Sequence, residues 1–257
     1  MMRIPFELAP IDEVVPWGEH RTLHWFGLTQ GWYGLEVAGI ELLRYTEQTQ
    51  ALLGEDPTVP RWADYYVVRL WEDMLGVLPQ VLEPVPGDLA EFFAGGGEGW
   101  ADISDPDVLD NPAIDPAYEG RRLRCFDTAY LRAGGAFRWW RTVDPDDRVS
   151  VAWQFASGPD DQIAFAAPLS GRASVETSEF IAAVTDFDHR LLQAMQERVD
   201  RLVVTGAAPG IVLDVEGLTR EQAKRRLWLP QALARQVEDT DWDAVRAGVA
   251  ILAPHLA

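Results

Sequence analysis

Residues 136–176 read AFRWWRTVDPDDRVSVAWQFASGPDDQIAFAAPLSGRASVE, and this stretch decides the predicted fold. Short apolar or alternating runs are separated by turn-forming residues, which is typical of consecutive hairpins. The stretch therefore predicts a four-strand antiparallel meander, with strands at 136–143, 148–155, 162–167 and 171–176. Successive side chains of a strand point to opposite sides, so the meander has one apolar face. The predicted members of that face are Val149, Val151, Trp153, Phe155, Ile163 and Phe165.

A long amphipathic helix is predicted directly after the meander, near residues 178–204, with Thr177 as its N-cap. Apolar residues recur there every three or four positions, which is the spacing of one buried stripe. The stripe consists of Phe180, Val184, Phe187, Leu191, Met195, Val199 and Leu202. We expect this helix to lie across a sheet. Two C-terminal helices are also predicted, one with a Thr219/Gln222 capping box and one that follows Thr240.

The N-terminal half is predicted to contain a second antiparallel meander, between Thr22 and Tyr45. It includes HWFGLTQGWYGLEVAG at 24–39, which is rich in aromatic residues and glycine. Packing of rings over glycines in neighbouring strands explains this composition, so we expect Trp25 and Trp32 to be core residues. A platform of aromatic rings for a ligand is the alternative interpretation.

A helix is predicted within DYYVVRLWEDMLGVLPQVLE at 64–83, where Pro79 is expected to kink or end it. Two meanders beside separate packed helices indicate the α+β class. The chain divides into an N-terminal meander with helices (1–97), an acidic loop (98–119), and a C-terminal part (120–257). The last part contains the four-strand meander, the long helix and the C-terminal helices. We expect the three parts to form one compact unit.

The acidic loop is the first candidate binding site. Residues 98–119 contain seven acidic residues, no basic residue and three prolines. Mutual repulsion is expected to keep the segment extended and mobile until a basic protein partner binds. Its predicted binding residues are Asp102, Asp105, Asp107 and Asp110. The segment lacks the residue spacing of a calcium-binding EF-hand loop.

Adjacent tryptophans on a predicted strand define a second candidate site. Trp139 and Trp140 must point to opposite faces of the sheet. One of them therefore faces away from the main core, where Trp140 could line a groove together with Arg138 and Gln154. We count Arg138 and Trp140 among the predicted binding residues.

Net charge restricts the classes of partner. The chain has 22 Lys and Arg against 41 Asp and Glu, a formal net charge of −19. Such a field repels nucleic acid and anionic lipid surfaces and attracts basic proteins. Acidic residues that serve only solubility are the alternative explanation. No apolar run reaches the roughly 18 residues that a membrane-spanning helix needs.

No stretch carries a decisive catalytic motif, and we predict neither a cofactor nor a metal site. His20 and His24 are four residues apart, but the local pattern indicates a loop and a strand instead of a helix. Asp186 and His189 could form a general base on the long helix, although an exposed ion pair is favoured. The single cysteine, Cys125, excludes an internal disulfide. Nearby arginines could lower its pKa, although a packing role is favoured. These features predict a reduced, cytoplasmic protein.

Several blocks of the chain resemble a family of uncharacterised proteins that is frequent in actinobacterial genomes. They include LHWFGLTQGWYGLEVAGIELLRY, with its HWFGLTxGWY core, and DYYVVRLWEDMLGVLPQVLEPVP, with its DYYVVRLWED core. FRWWRTV and DTDWDAVRAG belong to the same resemblance, which spans nearly the whole chain. It implies one shared architecture and assigns no activity to any residue.

Two classes of function remain after these observations. The favoured one is a non-catalytic acidic interaction protein, such as an immunity or inhibitor protein that masks a basic partner. The alternative is a small-molecule enzyme or ligand-binding protein with a pocket lined by Trp and His residues of the first meander.

Overall fold

The computed structural model describes residues 1–54, 61–95, 105–158, 160–235 and 240–255. Within these ranges the strands are β1 (Met2–Arg3), β2 (Phe6–Leu8), β3 (Thr22–Leu23), β4 (Gln30–Tyr33), β5 (Glu36–Val37), β6 (Ile40–Glu41), β7 (Ala63–Tyr66), β8 (Cys125–Asp127), β9 (Gly135–Thr142), β10 (Arg148–Phe155), β11 (Ser170–Glu176) and β12 (Val212–Leu213). The α-helices are α1 (Glu47–Leu53), α2 (Val67–Leu82), α3 (Ala90–Ala94), α4 (Pro106–Leu109), α5 (Asp115–Arg122), α6 (Thr177–Thr205), α7 (Val215–Arg225), α8 (Trp228–Ala234) and α9 (Trp242–Leu252).

The largest sheet has four antiparallel strands in the order β11-β10-β9-β8. Its centre is the β9–β10 hairpin, in which Trp139 pairs with Val151 and Arg138 pairs with Ala152. The α+β class is confirmed, because antiparallel sheets and separate packed helices make up the described chain.

The predicted strand at 162–167 is absent, and β8 supplies the fourth strand of the sheet instead. This segment binds the N-terminal half: Ala166 donates its backbone N–H to the Arg44 carbonyl oxygen at 2.7 Å. The Phe165 ring stacks on Tyr45 with 5.2 Å between ring centroids. The alternating apolar pattern was therefore real, but it reflects burial against Tyr45 and not pairing in the meander.

The predicted long helix is confirmed as α6, and its apolar stripe is buried against the sheet. Phe180 contacts Trp139 with 5.4 Å between ring centroids. Glu176 occupies the N-cap position, and Thr177 is the first helical residue. The Thr177 hydroxyl donates to Asp147 at 2.6 Å, so it joins the helix to the β9–β10 turn and does not cap its own helix.

The strands of the N-terminal half are shorter than predicted and divide among three small sheets. These have the orders β1-β5-β6, β2-β4-β7 and β12-β3. Residues Gly27–Thr29 form a 3₁₀ turn where a strand was predicted. Trp25 is buried as expected, and its indole N–H donates to Gln222 at 2.8 Å. Trp32 is only half-buried.

The structure adds or corrects local details of three predicted helices. Pro79 lies inside α2, which continues to Leu82. Helix α7 begins earlier than the Thr219/Gln222 box, because Asp214 caps it by accepting from the Gly217 N–H at 2.8 Å. Helix α9 is capped by Asp241, whose side chain accepts from Ala244. Among the described residues, no helix combines the length and apolar character needed to cross a membrane.

The four-stranded sheet separates two hydrophobic cores. The main core covers the face with Trp139 and contains most of α2 and α6. The second core covers the face with Trp140. Its members are Val85, Leu89, Phe92, Phe93, Val108, Ile114, Ala117, Trp140, Ala152, Val245 and Leu252. The candidate binding residues all lie on the side of the second core or outside the described residues.

Candidate functional site

The described part of the predicted acidic loop, from residue 105 onward, folds into short helices and is not extended. Asp105 caps α4 by accepting from the Asp107 N–H at 3.0 Å, with Pro106 at the first helical position. Asn111 accepts from the Ala113 N–H at 3.0 Å and begins the 3₁₀ turn Pro112–Ile114. An Asp or Asn followed by Pro is a helix-start signal, so the sequence contained this information.

Buried side chains anchor these helices on the second core. Val108 and Ile114 are 8% and 1% exposed. A Cβ atom placed on Gly248 of α9 would lie 2.8 Å from the Ala113 carbonyl oxygen and 3.0 Å from the Ala117 Cβ atom. Helix α9 therefore approaches this segment as closely as glycine allows, and the segment is held in place.

We call residues 105–115 the acidic platform. Asp105, Asp107, Asp110 and Asp115 are exposed, and none of them forms an ion pair with another described residue. Leu109 lies among these carboxylates and is 46% exposed. The structure thus places three of the four predicted acidic binding residues on one folded surface. Asp102 lies outside the described residues.

Arg138 and Trp140 do not line an open groove. Trp140 is 5% exposed and belongs to the second core together with Phe92 and Phe93. Arg138 is 8% exposed on the same face of the sheet. Helix α3 packs on β9 and covers this face. Ala152, a small side chain on this face, is therefore buried in the second core.

The second-core face of the sheet carries the buried, positively charged side chain of Arg138. Arg138 pairs across the sheet with Cys125, and its Nε atom is buried without a hydrogen-bond partner. Burial and the nearby positive charge of Arg138 lower the pKa of Arg121 to about 10. Burial raises the pKa of the Cys125 thiol, because the arginines offset only part of the desolvation cost. The arginines therefore do not lower this pKa overall.

The histidines near the N-terminus show a packing role for His24. His24 meets Trp17 edge to face, with 4.5 Å between ring centroids. Its Nδ1 atom accepts from the Gly27 N–H at 3.2 Å, and burial lowers its pKa. His20 is exposed. Among the described residues, no group of three or more His, Cys, Asp or Glu side chains is arranged to hold a metal ion.

Helix α6 carries a buried carboxylate that the sequence interpretation missed. Asp186 is exposed and pairs with Arg190 at 2.8 Å, and His189 is exposed as expected. Asp188 is only 4% exposed and accepts from the Trp71 indole N–H at 2.9 Å. Burial raises the pKa of Asp188. Its position four residues after Val184, in the apolar stripe, was the available signal.

Two shallow grooves lie along helix α6. The groove that contains Asp188 and His189 has a volume of about 560 Å³ and is also lined by Arg226, Leu229 and Pro230. No tryptophan lines it. Asp186 and Arg190 line a separate groove of about 480 Å³ near the N-terminus. Asp186 and His189 therefore do not meet in one cavity.

The fold and these surfaces define an acidic α+β protein with a two-sided sheet, a folded acidic platform and a buried basic face. A family model described as a family of unknown function (DUF5984) matches residues 3–248, and the chain belongs to this family. The resemblance inferred from the sequence is confirmed at this level. No curated protein and no solved structure matches the chain.

Proposed function

We propose that this chain is a non-catalytic interaction protein that binds a basic protein through the acidic platform, as an immunity or inhibitor protein would. One observation carries the proposal: Leu109 is 46% exposed among carboxylates that have no cationic partner in the described chain. An exposed apolar side chain with a charged rim is a common arrangement in protein interfaces.

The four carboxylates of the platform form no ion pair with a described residue, unlike some other carboxylates of the surface. Elsewhere, exposed arginines neutralise nearby carboxylates: Arg132 pairs with Asp64 at 3.1 Å and Arg246 with Asp88 at 2.7 Å. Repulsion among the unpaired platform carboxylates would be relieved by a cationic surface. Long-range attraction of this kind accelerates association and weakens with added salt. Neither nucleic acid nor a membrane fits the proposal.

The proposal is tested by retention of host proteins on the immobilised full chain at low and physiological salt. The test variant is Asp105→Asn/Asp107→Asn/Asp110→Asn, in which asparagine preserves the cap of α4. We expect it to retain less of a basic protein than the wild type and to associate with it about tenfold more slowly at low salt. Leu109→Ser should accelerate dissociation instead, because it removes the apolar centre.

A matched control changes the same charge elsewhere. Asp144, Asp146 and Asp160 are exposed and form no ion pair with a described residue. The variant Asp144→Asn/Asp146→Asn/Asp160→Asn should retain the basic protein almost as the wild type does. Equal losses in the two triple variants would show that only net charge matters. Either that result or retention of no basic protein would contradict the proposal.

A further inference from the structure

A third groove lies along helix α6, beside the segment that enters the fold as strand β2. It has a volume of about 470 Å³, which is within the usual range for small-molecule sites. One wall consists of apolar side chains, among them Phe6, Leu8 and Ile11. The opposite wall belongs to α6 and includes Ala194, Arg198 and Arg201. The groove therefore combines an apolar wall with two guanidinium groups.

The apolar wall is fixed by the fold. Phe6 and Leu8 are alternate residues of β2, so their side chains lie on the same face of the strand. Phe6 meets Phe187 of the main core edge to face, with 5.5 Å between ring centroids. Phe6, Leu8 and Ile11 are each only half-buried. Their exposed parts offer apolar surface to a ligand in the groove.

Arg198 is positively charged and has only neutral hydrogen-bond partners in the described chain. Its guanidinium donates to the Leu28 carbonyl oxygen at 2.8 Å and to the Ala9 carbonyl oxygen. Neither Arg198 nor Arg201, three residues further along α6, forms an ion pair with a described carboxylate. Burial and the positive charge of Arg201 lower the pKa of Arg198 to about 10, so Arg198 remains charged at neutral pH. Two cations therefore line one groove without an ion pair to the described chain.

Helix α6 provides a paired counterpart in Arg190, eight residues before Arg198. Arg190 also donates to a backbone carbonyl oxygen of the N-terminal segment, that of Ile4 at 2.8 Å. In addition, Arg190 pairs with Asp186, four residues earlier in the helix, at 2.8 Å. The residue four positions before Arg198 is Ala194, which lines the groove. The anion that Arg190 receives from its own helix is thus missing at Arg198.

Glu197 is the one acidic residue among the described residues that line this groove. It is exposed, and its Oε1 atom accepts from the Gln193 side-chain amide at 3.1 Å. The lining residues therefore carry two positive charges and one negative charge. The described residues that flank the undescribed segments do not line the groove.

We propose that this groove binds a small amphiphilic carboxylate, of the short aliphatic acid class, with its carboxylate at the two arginines and its hydrocarbon chain along the apolar wall. Planar guanidinium groups match carboxylate oxygens in charge and geometry. Arg198 uses two of its five N–H donors on backbone carbonyls, so the others can serve the ligand. The ligand supplies the anion that Asp186 supplies to Arg190. No residue of the acidic platform lines the groove, so this site does not depend on the proposed basic partner.

The test is an NMR titration of the isotope-labelled full chain with hexanoate, at constant ionic strength in chloride. We expect saturable shifts of the backbone amides of residues 6–11 and 194–201. Hexanamide has the same chain without the charge, and acetate has the charge without the chain. Each should bind at least about tenfold more weakly than hexanoate. The proposal is overturned if hexanoate gives no saturable shifts, if the shifts lie elsewhere, or if either control compound binds as tightly.

Ala194→Asp supplies the missing carboxylate from within the helix. The new side chain should pair with Arg198 as Asp186 pairs with Arg190, and it should weaken hexanoate binding by at least about tenfold. Ala194→Asn places an uncharged group of the same size at this position, and it should weaken binding much less. Equal weakening by the two variants would show that loss of space matters and charge does not, and it would overturn the proposal.

Arg201→Gln removes one of the two cations without changing the hydrogen bonds of Arg198 to the backbone. It should weaken hexanoate binding by at least about threefold. Arg172→Gln is the matched control, because Arg172 is exposed, pairs with Glu91 at 2.9 Å and does not line the groove. This control changes the net charge equally and should bind hexanoate as the wild type does. Equal affinities of the two variants would overturn the proposal.

Discussion

Arg225 and Arg138 occupy the two cores of this protein and have opposite surroundings. Arg225, in the main core, pairs with two glutamates and lies over the Trp25 ring at 4.3 Å and the Trp228 ring at 4.8 Å. Arg138, in the second core, meets Ala152 and Cys125 across the sheet and has no described anion beside it. The two residues are buried to nearly the same extent.

This difference indicates how the two sides of the sheet divide their roles. In the main core, Asp188 has a partner in the Trp71 indole N–H and Gln222 has one in Trp25, whereas the Gln80 Oε1 and Trp139 Nε1 atoms are buried without a hydrogen-bond partner among the described residues. In the second core, Arg138 is buried and forms no ion pair with a described residue. The same core supports the acidic platform, whose carboxylates also form no ion pair with a described residue. The acidic platform, which is the proposed binding surface, is anchored on this second core by Val108 and Ile114.

The largest expected effect is in the main core. Trp25→Ala should lower the free energy of unfolding by about 3–5 kcal/mol, because it removes a buried indole and leaves Gln222 without its donor. Denaturant unfolding followed by circular dichroism measures this change. Trp17→Ala is the control, since Trp17 is 43% exposed, and it should cost much less. Similar losses in both variants would contradict the structural role assigned to the Trp25 stretch.

Arg225→Met tests whether the main core depends on its internal ion pairs. The change leaves Glu72 and Glu221 without their buried cation, and it should destabilise the protein by about 3 kcal/mol. The same unfolding measurement applies. Arg226→Met is the matched control because Arg226 is exposed and donates only to Gln196 among the described residues. If Arg225→Met were as stable as that control, the ion pairs of Arg225 would not stabilise the main core, which would contradict the comparison.

A pH titration sharpens the comparison, because Asp73 of the main core is harder to ionise once folded. Burial raises its pKa to about 6, although it accepts from the Tyr130 hydroxyl at 2.8 Å and lies near Arg69. The folded state therefore binds the proton more tightly than the unfolded state. Relative to Asp73→Asn, the wild type should lose about 2–3 kcal/mol of stability as the pH rises from about 4 to about 6. Parallel stability curves for the two proteins would contradict the raised pKa.

The sequence predicted best the elements whose signals are local. The β9–β10 hairpin and helix α6 combine strong periodicity with clear turns or caps, and both formed almost as predicted. The segment at 162–167 has an equally good local pattern but packs on Tyr45, which is distant in the sequence. Local alternation reports which side chains are buried and does not report their partner.

The candidate site was predictable only in part for the same reason. Charge alone identified Asp105, Asp107 and Asp110 as exposed residues. The short helices in this segment could have been predicted only from the helix-start signals Asp105-Pro106 and Asn111-Pro112. Strand alternation placed Arg138 and Trp140 on one face correctly. It could not show that α3 covers that face or that no described carboxylate reaches Arg138, because both depend on tertiary packing.

Thermal unfolding of Arg138→Met in chloride buffer without phosphate or carboxylate tests the central claim most directly. If the second core contains an open cation, an apolar side chain of similar length should suit the empty site better than arginine. We expect the melting temperature to rise by about 2–4 °C, which corresponds to about 1 kcal/mol for a chain of this size. A fall as large as that of Arg225→Met would show that Arg138 is neutralised within the chain, and it would contradict the account.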